Sequence, residues 1–341
     1  MKNLLTGIVA FTLSSIVLAS EPQLKSDVPD NYTVIKGDTL WDISGRFLQN
    51  PWMWPEIWHV NTQIENPHLI YPGDVIRLIY LEGQPRLTLT RADGGRTYKL
   101  SPQVRELTAE EAIETIPLDK INSFLSKSRV VGKRDLERAP YILSGADEHL
   151  VVGAGDQAYA RGTFEETYTV YGVYRGGDKY IDPETKEFLG VQAFDIGTGT
   201  LVSVEGEIGT LDITRTTEEI RIGDRLLRQE ERPIDSTFYP SPPAEDIKGV
   251  ILAVEGGVSQ VGKMDVVVIN RGEREGMVPG NVLAVYKRGG KIRDRVSGDT
   301  VKLPDERAGL MMVFKTFEKV SFGLVLEAKQ GLKVGDLIQN P

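Results

Sequence analysis

The spacing of apolar and polar positions changes period several times along the chain. YTVI (Tyr32–Ile35) alternates with period two, as a short strand does. KGDTLWDISGRF then switches to helical spacing, with Leu40, Ile43 and Phe47 on one face and Asp38 or Thr39 placed to cap the helix N-terminus. Asn50-Pro51 predicts a second helix start, with Asn as the cap and Pro at the first helical position. Ile57, Trp58, Val60 and Asn61 continue that helix. ENPHLIYPGD is a loop rich in turn residues, and VIRLIY (Val75–Tyr80) reads as a second strand. The order across residues 31–80 is strand, helix, helix, strand.

A connecting segment, residues 81–138, follows. LEGQPRLTLTRADGGRTYKLSPQV carries two alternating runs around Asp93-Gly94-Gly95, a hairpin signal. TAEEAIET and LDKINSFLSKSRVV have helical spacing, with Ile121, Phe124 and Leu125 on one side. LSKSRVVGKRDLER is locally basic, either as a solvated face or as a contact for acidic glycan phosphates or a partner protein.

The C-terminal part is β-rich and duplicated. ILSGADEHLVVGAGDQAYARG, from Ile142, resembles ILAVEGGVSQVGKMDVVVINRG, from Ile251. Val173-Tyr174 answers Val285-Tyr286, and Gly223-Asp224 answers Gly335-Asp336 at the same offset. Arg161-Gly162 answers Arg271-Gly272 at a slightly shorter offset, as a short indel would cause. Ordered matches at a near-constant offset predict tandem repeats over 139–230 and 248–341. Within them MDVVVIN, NVLAVYK, GLMMVFKTF and SFGLVLEA are short apolar runs split by Gly, Asp and Lys, the pattern of a small barrel or sandwich, with Val334, Leu337 and Ile338 in its core. ERPIDSTFYPSPPAEDI (231–247) reads as an extended, proline-stiffened linker. The predicted class is α+β and multidomain: a βααβ module, a connecting hairpin and helices, then two small barrels or sandwiches.

The first module resembles a LysM domain. The resemblance rests on Y-T-V-I-K-G-D-T-L-W-D-I-S, then N-x-x-I, then L-I-Y-P-G-D-V-I-R-L, which together cover the module. It implies binding of N-acetylglucosamine glycans such as peptidoglycan, in a shallow groove between two loops. Carried onto this chain, those loops are Gly37, Asp38, Thr39 and Leu40, and Pro67, Leu69, Ile70 and Tyr71. Backbone groups in tight loops suit the amide of an N-acetyl group, and Leu40 and Ile70 suit its methyl. The segment NPWMWPEIWHVN is more aromatic than many LysM helices. The whole arrangement resembles a group of bacterial LysM-domain proteins without a characterised activity, and that likeness assigns none to the repeats.

All four tryptophans fall between Trp41 and Trp58. Two readings stand: they build a module with little core of its own, or one of them, Trp41 or Trp52, stacks on sugar. Residues 1–19 read as a secretory signal, with Lys2, a short apolar run and small residues before a cut after Ala19; the alternative is an uncleaved anchor. Together with the module this predicts a periplasmic, envelope-associated protein with peptidoglycan as ligand and another envelope protein as a further partner. The formal net charge of −9 argues against nucleic acid and against an anionic lipid surface. No second long apolar run follows the signal, so no membrane association is expected after cleavage.

The candidate chemistry is thin. There is no cysteine, which removes thiol peptidases and cysteine transpeptidases. The three histidines are His59, His68 and His149, and only one lies outside the first module, too few for the usual zinc amidase or peptidase site. No GxSxG, SxxK or phosphate-loop pattern occurs. A non-catalytic protein without cofactor is expected. The alternative is a wall hydrolase that draws paired carboxylates from the 49 Asp and Glu.

Overall fold

The computed structural model describes residues 22–58, 70–90, 116, 121, 128–146, 151–165, 167–228, 238–255 and 260–341. Several expectations lie outside them: the N-terminal signal, the Asp93-Gly94-Gly95 hairpin, the TAEEAIET helix, the three histidines and the first part of the linker.

In the first module Thr39, rather than Asp38, caps helix α1 (Leu40–Phe47). Its Oγ1 accepts from the Asp42 N–H at 3.1 Å and its hydroxyl donates to the Asp42 carboxylate at 2.8 Å. The second helical stretch is broken by its prolines into a 3-10 turn (Pro51–Met53) and helix α2 (Trp54–Ile57), and Asn50 makes no side-chain cap bond. Strand β1 (Asn31–Thr33) pairs antiparallel with β2 (Val75–Leu81). β2 in turn pairs with β3 (Gln84–Thr90). The turn between them is Glu82-Gly83, with φ 52° and 81°, the two positive values a two-residue hairpin turn demands. The run after Tyr80 therefore completes a three-stranded sheet.

The tryptophans pack. Trp41, Trp52, Trp54 and Trp58 are 5%, 9%, 1% and 6% exposed and share one cluster with Leu40, Ile43, Phe47 and Ile70. A module this small has few other residues large enough to fill its interior.

The end of LDKINSFLSKSRVV is not helical. Ser128–Val131 is strand β4, paired with Phe194–Val191. Two adjacent β-branched valines beside an open strand edge outweigh the apolar spacing that suggested a helix.

Two barrels follow. The first joins β5 (Tyr141–Gly145), β7 (Gln157–Arg161), β10 (Ile208–Thr216), β9 (Phe188–Glu205), β8 (Val170–Ile181) and β12 (Arg225–Arg228), and β12 pairs back to β5. β4 adds to β9 beside this ring. The second joins β13 (Lys248–Val254), β15 (Val266–Ile269), β20 (Ser321–Ala328), β19 (Glu306–Thr316), β16 (Val282–Lys287) and β22 (Leu337–Gln339), and closes on β13. Taken in chain order, the strands of both rings are joined first, second, fifth, fourth, third, sixth. A two-stranded pair flanks each, β6 (Val151–Val152) with β11 (Ile220–Arg221), and β14 (Gln260–Val261) with β21 (Leu332–Lys333). Ile338 is core, but Val334 is 40% exposed because it sits in the turn before β22.

The second barrel is covered on both sides. Val267, Ile269, Leu283, Val285, Met311 and Val313 fill its interior. The alternate residues Val266, Val268, Val282, Ala284 and Met312 are buried as well, in the cluster that contains the tryptophans. This is why β15 reads as an unbroken VVVI: a strand covered on both faces loses its polar alternation. Phe238 joins the same cluster, and Ser241 bonds to Gly280 and Val282, so this end of the linker is packed rather than free.

The β8–β9 hairpin of the first barrel grips the second. Glu187 at its end accepts from the two terminal guanidinium nitrogens of Arg274, at 2.7 and 2.9 Å, and from Lys319 Nζ at 2.7 Å. Asp182 accepts the Asn270 amide at 2.7 Å, and Glu184 pairs with Arg288 at 3.1 Å. Tyr180 and Leu189, on the flanking strands, enter the shared apolar cluster.

Candidate functional site

Two turns at one end of the first module are built alike. They are Ile35-Lys36-Gly37-Asp38 and Tyr71-Pro72-Gly73-Asp74. In each, the third residue is a glycine at positive φ, 94° in Gly37 and 96° in Gly73, where a side chain would strain the backbone. In each, the fourth residue is an aspartate whose Oδ2 accepts the N–H of the first residue, at 2.9 and 3.0 Å. Its own N–H donates to the carbonyl of that first residue, at 3.2 and 3.0 Å.

The turns are tied together through Val34. Its N–H donates to the Asp74 carbonyl at 2.9 Å, and its carbonyl accepts the Gly73 N–H at 2.8 Å. Asp38 is further fixed by the Tyr32 hydroxyl, which donates at 2.8 Å, and the Arg46 guanidinium lies over the Tyr32 ring at 4.5 Å. Burial, and then the bond to Asp38, push the Tyr32 phenol above its ordinary range, so it stays a donor.

The structure separates the residues expected at this site. Gly37 is exposed, and Asp38 and Tyr71 are half-buried in or beside the turns. Thr39 is occupied in capping α1. Leu40 and Ile70 are fully buried, so their side chains serve the core and only their backbone groups border the turns. Pro67 and Leu69 lie outside the described residues. The apolar side chain that does point outward is Ile35, 58% exposed. The alternation of Tyr32–Ile35 contains the signal for it: Val34 faces in at 1% exposure, so its neighbour faces out.

The LysM domain family matches residues 32–78, the segment that carries both turns. The chain therefore carries a LysM domain at residues 32–78, with a large β-rich C-terminal region of barrel-like sheets beyond it. LysM domains are in general binding modules for peptidoglycan and N-acetylglucosamine glycans and occur in cell-envelope or exported proteins. The chain is also similar to the "Uncharacterized protein YqbP" of Bacillus subtilis (strain 168), with 40% identity over 60 residues. That match takes in 15% of this chain and 27% of the relative, so it spans about a quarter of the relative's length. No helix among the described residues is long and apolar enough to cross a membrane.

Proposed function

We propose that this chain is a non-catalytic peptidoglycan-binding protein of the cell envelope, exported to the periplasm after cleavage behind Ala19. The observation that carries the reading is the LysM match across the two tied glycine turns. The backbone of Gly37, Asp38, Thr39 and Leu40 forms one wall of the groove. The backbone of Ile70 and Tyr71 forms the other, and Pro67 and Leu69, expected beside them, lie outside the described residues. Ile35 offers the exposed apolar surface for the N-acetyl methyl. A single shallow groove makes few contacts, so its affinity is weak and residence on the wall depends on repeated sites along the polymer.

The two barrels are a tandem duplication and act as an interaction scaffold for another envelope protein. Their common strand order and flanking two-stranded pairs support the duplication. Continuity between the LysM core and the outside of the second barrel supports a scaffold that holds the glycan site in a set direction.

Calorimetric titration of the full mature chain with N-acetylglucosamine oligomers tests the site. Saturable binding that Ile35→Asp abolishes, with no change in melting temperature, is expected. Absence of binding at millimolar oligomer, or binding unchanged in Ile35→Asp, contradicts it.

A further inference from the structure

The ends of two hairpins, one in each barrel, are closed by the same four hydrogen bonds. In the β8–β9 hairpin the Asp182 N–H donates to the Glu187 carbonyl at 2.9 Å, and the Lys186 N–H donates to the Asp182 carbonyl at 3.0 Å. Asp182 Oδ1 accepts the Glu184 N–H at 2.8 Å, and Thr185 Oγ1 accepts the Glu187 N–H at 3.3 Å. The second barrel carries the hairpin β17 (Lys291–Arg293) and β18 (Thr300–Lys302). There the Asp294 N–H donates to the Asp299 carbonyl at 2.7 Å and the Gly298 N–H to the Asp294 carbonyl at 3.0 Å. Asp294 Oδ1 accepts the Val296 N–H at 2.8 Å, and Ser297 Oγ accepts the Asp299 N–H at 3.3 Å. Even the positive φ recurs, 63° in Lys186 and 81° in Gly298.

The two hairpins differ in what covers them. Tyr180 and Leu189, two residues outside either end of the first turn, are 4% and 6% exposed because the second barrel covers them. Ile292 and Val301 hold the same places about the second turn and are 49% and 46% exposed; Val296 at the tip is 96% exposed. A docking device that is used within the chain in one barrel stands uncovered in the other.

The charges of the device and its seat are reversed together. The first hairpin end is acidic, with Asp182, Glu184 and Glu187, and its seat supplies Arg274 and Lys319. The second hairpin is basic, with Lys291, Arg293, Arg295 and Lys302 around its tip. Lys319 lies in the four-residue turn between β19 and β20; the corresponding turn of the first barrel, between β9 and β10, holds Glu207. Glu205 precedes it, and Val202 and Val204, 57% and 46% exposed, supply apolar surface beside it. Glu207 pairs there with Arg161, both more than half exposed, a pair readily exchanged for another.

We infer that the β17–β18 hairpin docks on the Val202–Glu207 corner of the first barrel in a second copy of this chain. The contact joins different surfaces of the two copies, so it propagates head to tail, into a ring or an open row. It goes beyond the glycan reading and does not depend on it.

Sedimentation velocity of the full mature chain tests the contact. Over about a hundredfold rise in concentration the weight-average mass should at least double. Arg295→Glu with Val296→Asp should remain monomeric throughout, as should Glu205→Lys with Glu207→Lys, each with an unchanged melting temperature. All four positions are exposed, so folding is not at risk. Mixing Arg295→Glu with Glu207→Lys should restore association between the two variants, weaker in high salt. A wild-type chain that stays monomeric overturns the inference. So does self-association that survives both double variants, or a hairpin whose only measurable effect is on pelleting with sacculi.

Discussion

Asp224 and Asp336 close equivalent turns in the two barrels, but only Asp224 is clasped. Each accepts a backbone N–H three residues back, Arg221 at 2.8 Å and Lys333 at 2.9 Å. Arg175 then grips both oxygens of Asp224, at 3.0 and 2.8 Å, whereas Oδ1 of the fully buried Asp336 has no partner. Removing Asp224 takes the bidentate partner from a guanidinium that is only 25% exposed and leaves it Glu218 and the Glu219 carbonyl. Asp224→Ala should therefore cost about 2–3 kcal/mol. Asp336→Ala forfeits only the turn bond, about 1 kcal/mol. Urea unfolding of the two variants checks the ranking; equal losses would contradict it.

The tryptophans give a second prediction. Trp54 is 1% exposed, and its indole N–H, like those of Trp52 and Trp58, is buried without a partner. Trp54→Ala should unfold the LysM module, at a cost of about 3–5 kcal/mol. Trp54→Phe keeps an aromatic ring and removes the unpaired donor, so it should stay folded and bind glycan as before. Loss of glycan binding in a folded Trp54→Phe variant would make that indole part of the site.

Acid should loosen the grip between the barrels. Arg274, and then Lys319, hold the Glu187 carboxyl at about 2. A depressed carboxylate contributes stability that is complete above its unfolded value and is lost as pH falls through the folded one. Glu187→Gln should thus lower stability at neutral pH and flatten the acid limb of the stability curve. Glu255 has the opposite sign. Burial pushes its carboxyl up, against a bond from Gln192, so its charge costs stability at neutral pH. Glu255→Gln should raise the neutral-pH melting temperature and change little where Glu255 is already protonated. Melting curves from pH 3 to 8 read both, since folding and ionisation are linked.

The backbone of the site carries a fourth. Gly37 and Gly73 have open space where a Cβ would stand, so substitution there costs only the positive φ. Gly73→Ala should destabilise the module by about 1 kcal/mol. By shifting the turn that Val34 ties to Gly37, it should also weaken glycan binding. Unchanged affinity would detach this turn from the groove.

Much of this was legible in the sequence where a local signal and its packing agree. The LysM turns were, because Gly37 and Gly73 beside short strands mark sharp turns, although the closing bonds from Asp38 and Asp74 were not. The apolar runs of the second barrel were too, though VVVI revealed its strand and not the LysM cover that makes it continuous. Ser128–Val131 was misread because its partner strand lies more than fifty residues away, beyond any local period. Leu40 and Ile70 were placed in a glycan groove by a motif that marks where residues sit along the chain. Only packing decides that both face the core, while Ile35 faces out.

The most direct test is co-sedimentation of the full mature chain with purified sacculi, with muropeptides followed in the supernatant. The account predicts that the wild type pellets, that Ile35→Asp and Gly73→Ala pellet markedly less, and that no muropeptide is released. A chain that stays in the supernatant, or one that pellets equally with both turns altered, would contradict glycan binding by the LysM site. Release of muropeptides would show that the protein cuts the wall.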